Sequence, residues 1–301
     1  MVTNKKKGLT DKGEQLFYLA IIALPILQVI IFYFVVNFNS ILMAFQDYNT
    51  IESRFTWNNF ANFVKFWDEA FASRKIITMF LNSFIVWFFT SGLGTFLSIV
   101  FSYYIFKKWK FFKTFKFILF LPTVLPSILL VLMYKFFMTE AIPEVIRSIT
   151  GSMPDDTTLS FPLVIVYNVW VCFGAQILIY SGAMDQIPPD VLEAGQVDGV
   201  SPLGEFFAIV IPIILPTVST FFIASVATLF TNQANLFAFF GSNVLPQNQT
   251  IGYYLFKLVN DEKTKMDNYG YASALGIICT FIAFPLTLLA RRLLNGKGDE
   301  K

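Results

Sequence analysis

Long apolar runs alternate with short polar stretches along this 301-residue chain, and the runs are too long and too uninterrupted for the face of a soluble helix. Six of them stand out, approximately Leu16–Phe38, Ile76–Phe106, Phe117–Met138, Phe161–Met184, Phe206–Phe230 and Ala272–Leu294. A hydrocarbon core of about 30 Å takes roughly 20 residues of helix. Only a helix or a closed barrel satisfies its own backbone polar groups there. The pattern therefore predicts an all-α integral membrane protein with six transmembrane helices. The second run exceeds a straight crossing and predicts tilt or a start in the interface. The first follows Lys5, Lys6 and Lys7 but is longer than a signal core and is followed by no small-residue cleavage pattern, so it reads as a retained helix. The domain reading is a segment 1–15, a transmembrane domain 16–294 and a tail 295–301.

Composition agrees with this. The chain is 55% hydrophobic and 14% charged, against about 25% charged in soluble domains. A net charge of +2 gives no reason to expect a nucleic-acid partner. The absence of histidine removes the commonest metal ligand and the ordinary near-neutral proton shuttle. Cys172 and Cys279 are isolated within apolar runs and read as small core residues rather than a metal or redox pair. Basic residues flank the runs at the amino terminus, in the "KKWKFFKTFK" loop with Lys107, Lys108, Lys110, Lys113 and Lys116, and at Arg291 and Arg292. The positive-inside rule places these, and both termini, in the cytoplasm. The loop 185–205 falls on the same side by alternation, although it has five acidic residues and no basic one.

That loop carries the most compact polar signal in the chain, "EAGQVDGVSPLGEFFAIVIPIILP" from Glu193 to Pro216. Pro188 and Pro189 suit a helix start, where a missing N–H costs nothing. Asp198 and Gly199 suit its end, because glycine readily takes the left-handed conformation there. Ser201 and Pro202 supply a second cap and first turn. The predicted object is a helix, a sharp turn and a second helix that runs on into the fifth span. Ala194 and Gly195 are small enough to let another backbone approach, with Glu193 and Asp198 beside them. A loop that merely needs turn residues and solubility accounts for the same residue types.

The spacing resembles the signature loop of the membrane subunits of binding-protein-dependent ABC importers, in which Glu-Ala-Ala is followed by Asp-Gly, a Phe, an Ile and two prolines. Glu193, Ala194, Asp198, Gly199, Phe206, Ile209, Pro212 and Pro216 stand in that register, and Gly195 replaces the second alanine. "FTWNNFANF", "LNSFIV", "LPTVLPS" and the tract from Trp170 to Pro189 extend the resemblance towards the carbohydrate-uptake branch and the larger membrane subunit of maltose-like systems. The resemblance implies a bacterial plasma-membrane subunit whose residues 193–199 form a coupling helix seated in a cytoplasmic ATPase. It also implies a second homologous permease chain, two ABC ATPases that bind the ATP and Mg, an extracellular solute-binding protein and a sugar substrate. This chain itself would need no cofactor and carry no enzymatic activity. The five acidic residues would form a patch seeking a positive partner surface, with Glu193 the central ion-pair candidate.

Two proline pairs share a spacing of four, Pro122 with Pro126 and Pro212 with Pro216, and are candidate hinges because proline removes a backbone hydrogen bond. Polar side chains in or near spans mark a pathway or interhelical glue. They are Asn82, Tyr167, Asn168, Trp170, Gln176 and Tyr180, with Asn232, Gln233 and Asn235 after the fifth span. Amides and aromatic rings suit a neutral polyhydroxylated solute. Lys135 is the one charge well inside an apolar run, with a stem long enough to snorkel.

No GxxxxGK[ST] motif occurs, so the chain supplies no P-loop of its own. The alternative function is an ion-coupled secondary transporter of a small neutral solute, which the scarcity of intramembrane charge disfavours. A membrane-embedded enzyme lacks a catalytic constellation. Single cysteines at Asn58 and Ser201 are expected to react with impermeant reagents from opposite faces of the membrane; reaction of both from outside contradicts this topology.

Overall fold

A computed structural model describes residues 12–49, 51–142, 144, 156–260 and 265–295. The Lys5–Lys7 cluster and most of both terminal segments lie outside the described residues. Among the described residues, five helices are long and apolar enough to cross a membrane: Leu16–Met43, Lys75–Phe106, Phe161–Met184, Pro202–Ala227 and Asn268–Leu294. With a bent helix pair between the second and the next of these, they make up the six spans, numbered in chain order below.

The third span departs from the sequence expectation of one continuous helix. It consists of Phe112–Val124 and Ser127–Ala141, bent by 107° at the break. Leu125 is extended, with φ −78° and ψ 144°, and Pro126 follows it with ψ 128°. A residue before proline is sterically pushed out of the helical region, so Pro126 ends the first helix while Pro122 remains inside it. The prolines of the fifth span behave differently. Pro212 stands in the first turn of a helix Ile211–Ala227, Pro216 lies inside it, and a π-helical stretch Phe206–Val210 precedes both. Such a stretch re-spaces the backbone hydrogen bonds near a proline without breaking the helix. A second π-helical stretch, Phe88–Leu93, interrupts the long second span.

Contacts divide the chain into two units, 1–66 with 262–277 and 67–261 with 278–301. In the first, an antiparallel hairpin pairs Gln46–Asn49 with Arg54–Trp57. Asn62 pins its start by donating from Nδ2 to the carbonyls of Ala44 and Gln46, both at 3.2 Å. Gly270 approaches the same carbonyl of Gln46 so closely that a methyl group has no room there.

In the second unit the packing rests on small residues. Gly94, Ser98 and Ser102 recur every four residues along the second span and face the fourth. Ser98 Oγ lies 3.3 Å from the Phe173 carbonyl, and Ser102 Oγ donates to the Ile177 carbonyl at 3.0 Å. Close approach of small faces, with hydroxyls bonded to backbone, is how helices associate where lipid removes the hydrophobic drive. Gly174 turns the fourth span towards the third: a β-carbon there would lie 2.6 Å from the Leu119 carbonyl. Both atoms in conflict belong to backbone or are attached to it, so the helices must part. Gly174→Ala is therefore expected to destabilise the detergent-purified chain by about 1–3 kcal/mol, read as a lower unfolding temperature; an unchanged temperature contradicts this packing.

Candidate functional site

The loop between the fourth and fifth spans folds as its residues predict. A helix Pro189–Val197 starts with proline in its first turn. Gly199, at φ +75°, closes it. The Gly199 N–H donates to the Gln196 carbonyl at 3.1 Å and the Val200 N–H to the Gly195 carbonyl at 3.0 Å. These two bonds satisfy the last carbonyls of the helix and fix the direction in which the chain leaves. Two residues on, Ser201 caps the next helix by accepting from the Gly204 N–H at 3.2 Å. Only a short, hydrogen-bonded turn separates the loop helix from the start of the fifth span.

One side of the loop helix is anchored and the other is bare. Ile187 is buried, and Leu192 packs with it on an apolar cluster of Tyr103, Met184, Phe206, Val210 and Ile214. Glu193, Ala194, Gln196, Val197 and Asp198 are exposed. Val197 is 87% exposed and Leu203, just past the turn, 71%. Val197, bare beside the exposed carboxylates of Glu193 and Asp198, gives this tip the character of an interface, while Leu203 lines an apolar groove with Phe96 and Val100 of the second span. Periodicity does not reveal them, because Val197 and Leu203 are isolated apolar residues within a polar loop. Gly195 is buried, and a β-carbon there would lie 2.7 Å from Ile209 Cδ1. The space that a second alanine would fill is thus occupied by the tip of Ile209.

The acidic patch is smaller than the sequence implies. Asp185, Asp190, Glu193 and Asp198 are exposed, but Glu205 is 4% exposed and both its oxygens accept from Lys107 Nζ at 3.0 Å. The expectation of five carboxylates without a basic neighbour is corrected: the neighbour comes from the lysine-rich loop after the second span, far away in sequence. The contact also puts the basic loop and the acidic loop on one side of the membrane.

The polar side chains of the spans fall into separate groups. Asn82 Nδ2 donates to the carbonyls of Gln247 and Gln249 at 2.6 and 3.0 Å. Asn168 Nδ2 donates to Val164 and Ala234 at 2.7 and 2.9 Å, and its Oδ1 accepts from Asn235 at 2.8 Å. Asn232 Oδ1 accepts from the Ala234 N–H at 2.8 Å, and Gln233 is half-buried beside it. These amides hold the segment after the fifth span onto the second and fourth. Tyr167 and Trp170 belong to an aromatic cluster with Tyr134, and Phe239 packs on Tyr134 and Tyr167. Deeper in the fourth span, Gln176 Oε1 lies 3.3 Å from Thr95 Oγ1 and 3.1 Å from Ser98 Oγ. Tyr180 stands one turn further on, fully buried. Lys135 Nζ donates to the Phe239 carbonyl at 3.1 Å.

A profile described as binding-protein-dependent transport system inner membrane component matches residues 93–296. The chain belongs to that family. The match includes the loop helix, the Glu205 contact and the last four spans. Among curated relatives, the maltose/maltodextrin transport system permease protein MalF of Photorhabdus laumondii is 22% identical over 281 residues, which cover 84% of this chain and 54% of that protein. Its Vibrio cholerae counterpart is 24% identical over 77% of this chain and 47% of that protein. This chain thus spans about half the length of the curated relatives it matches. Among solved structures, a bacterial ABC transporter involved in import of the acidic polysaccharide alginate superposes with a TM-score of 0.79 at 18% identity, over 95% of this chain and 98% of that one. A second structure of such a transporter, complexed with a pentasaccharide-bound periplasmic protein, gives 0.74 over 93% and 94%. At this identity the likeness establishes the fold.

The crowding at Gly195 supports a specific expectation. Gly195→Ala displaces only the flexible end of Ile209, and the lost contact is offset by about 1 kcal/mol of helix propensity. Gly195→Leu has no such outlet and lifts the loop helix from its cluster. Limited proteolysis of the loop should remain slow in Gly195→Ala and become fast in Gly195→Leu; equal rates in the two variants contradict this packing.

Proposed function

We propose that the chain is a membrane-spanning subunit of an ATP-driven importer and forms half of the translocation pathway for a sugar or oligosaccharide. A second homologous membrane chain supplies the other half, and an extracellular binding protein delivers the solute. Two cytoplasmic ATPases bind the ATP and Mg. Both termini and the loop helix lie in the cytoplasm. The observation that carries this reading is the loop helix Pro189–Val197. It is anchored on the ends of the spans through Ile187 and Leu192, and it presents Glu193, Ala194, Val197 and Asp198 to solvent. A stiffly mounted tip with charge and bare apolar surface is suited to a fixed partner surface. Its residues stand where the family resemblance expects the ATPase contact.

A sugar substrate is supported by the names of the relatives, which are permeases of maltose and maltodextrin systems, and by the membership of the solved structures in an importer of a polysaccharide. The chemistry of the spans favours a neutral sugar over an acidic one. Amides and aromatic rings dominate, and the charge of Lys135 is directed at a backbone carbonyl. Most of the amide donors are already bonded within the chain. The Gln176 oxygen likewise accepts within the chain, from Thr95 and Ser98, so it is the half-buried amide NH2 group of Gln176 that is proposed to meet substrate hydroxyls.

Glu193 is the residue proposed to meet a basic side chain of the ATPase. Truncating one partner of a buried charge pair costs about 2–5 kcal/mol. Glu193→Ala is therefore expected to lower uptake of a radiolabelled maltodextrin by more than about tenfold while the chain still inserts and folds. Wild-type uptake by this variant would refute the assignment.

A further inference from the structure

Glu205 stands apart from the other acidic residues of its loop. It lies in the first turn after the Ser201 cap, and its carboxylate is 5% exposed while the Lys107 side chain is 22% exposed. Tyr103, one helical turn before Lys107, adds a second contact: its hydroxyl donates to the Pro202 carbonyl at 2.9 Å and lies 3.2 Å from Glu205 Oε1. Tyr103 and Lys107 are four residues apart and so share one face of the second span. Phe206 covers the group, its ring 4.8 Å from that of Tyr103.

Placement of the charges follows the helix ends. Lys107 is the residue that ends the second-span helix, and Glu205 lies in the first turn of the helix that opens the fifth span. Each charge therefore stands at the terminus its helix dipole favours. A buried ion pair tolerates poorly the loss of one member, because the remaining charge is stranded away from water. The two helix ends are thus either fully joined or parted at large cost.

We propose that Tyr103, Lys107 and Glu205 form a clamp through which the loop helix moves the second span together with the fifth. The loop helix is tied in sequence only to the fourth and fifth spans. The stiff turn at Gly199–Ser201 carries its displacement to Pro202–Glu205, and the clamp passes it to the second span. From there the bonds of Ser98 and Ser102 reach the fourth span. Three spans then respond to one contact on the loop helix. The three residues position helices and touch neither substrate nor nucleotide. The clamp rests on the importer reading above.

The test uses the complete reconstituted complex with its binding protein and ATPases. Glu205→Gln and Lys107→Met are each expected to continue hydrolysing ATP while transport per ATP falls about tenfold, within the usual range of coupling between sites. The double variant Lys107→Met/Glu205→Met replaces the pair with an apolar contact of similar size, which buried ion pairs often tolerate, and should recover most of that ratio. A merely structural role would instead lower transport and hydrolysis together. Because a single variant can fail to fold, spin labels at Lys110 and Leu203 in the otherwise wild-type complex give an independent readout. Their separation should be the same without nucleotide and with ATP trapped. Single variants with wild-type coupling, a double variant no better than the singles, or a separation that changes with ATP would overturn the clamp and leave the importer reading intact. A wild-type complex in which ATP drives no transport would overturn both.

Discussion

Hydrocarbon offers no partner to a hydroxyl, an amide or a peptide group, and most of this structure answers that constraint. Serine hydroxyls of the second span bond to backbone of the fourth. The amides of Asn82 and Asn168 hold the carbonyls of the segment after the fifth span. Charges within the apolar body are few, and where Lys107 and Glu205 leave water they do so as a pair. The same requirement explains why small residues recur every four positions where the second span meets the fourth: only close approach brings one helix's hydroxyl within reach of another's carbonyl. In lipid, satisfying polar groups and packing helices are one problem.

The loop between the fourth and fifth spans solves a different problem in water. Under the proposed function its helix has to be held firmly enough to transmit a push and exposed enough to receive one. Gly199 and Ser201 hold it through backbone geometry and Leu192 and Ile187 through burial, while Glu193, Ala194 and Val197 form a bare tip. Gly195 departs from the alanine of the family pattern without loosening the loop, because Ile209 fills the space.

Much of this was legible in the residues alone. Hydropathy located the spans to within a few residues, since a run of about 20 apolar residues has little choice in lipid. Pro189, Gly199 and Ser201 each act through local backbone chemistry, so their roles could be read without a fold. The bend in the third span was not legible: four-residue spacing makes Pro122 and Pro126 look equivalent, yet Pro122 stays helical and Pro126 marks the break. Nor was the partner of Glu205, because Lys107 lies 98 residues away, and nothing local distinguishes it from the other lysines of its loop. The amides of the spans stand out in the sequence as polar groups in apolar runs, but whether each holds a loop or accepts from a neighbouring helix's hydroxyl is decided by tertiary neighbours.

The account depends on the loop helix being seated in an ATPase, and partner recovery tests that most directly. The tagged chain would be purified in mild detergent from its native membranes and its companions identified by mass spectrometry. Recovery of an ABC ATPase together with a second six-span chain is the predicted result. Recovery of this chain alone, in detergent where assemblies of this family stay intact, would contradict it.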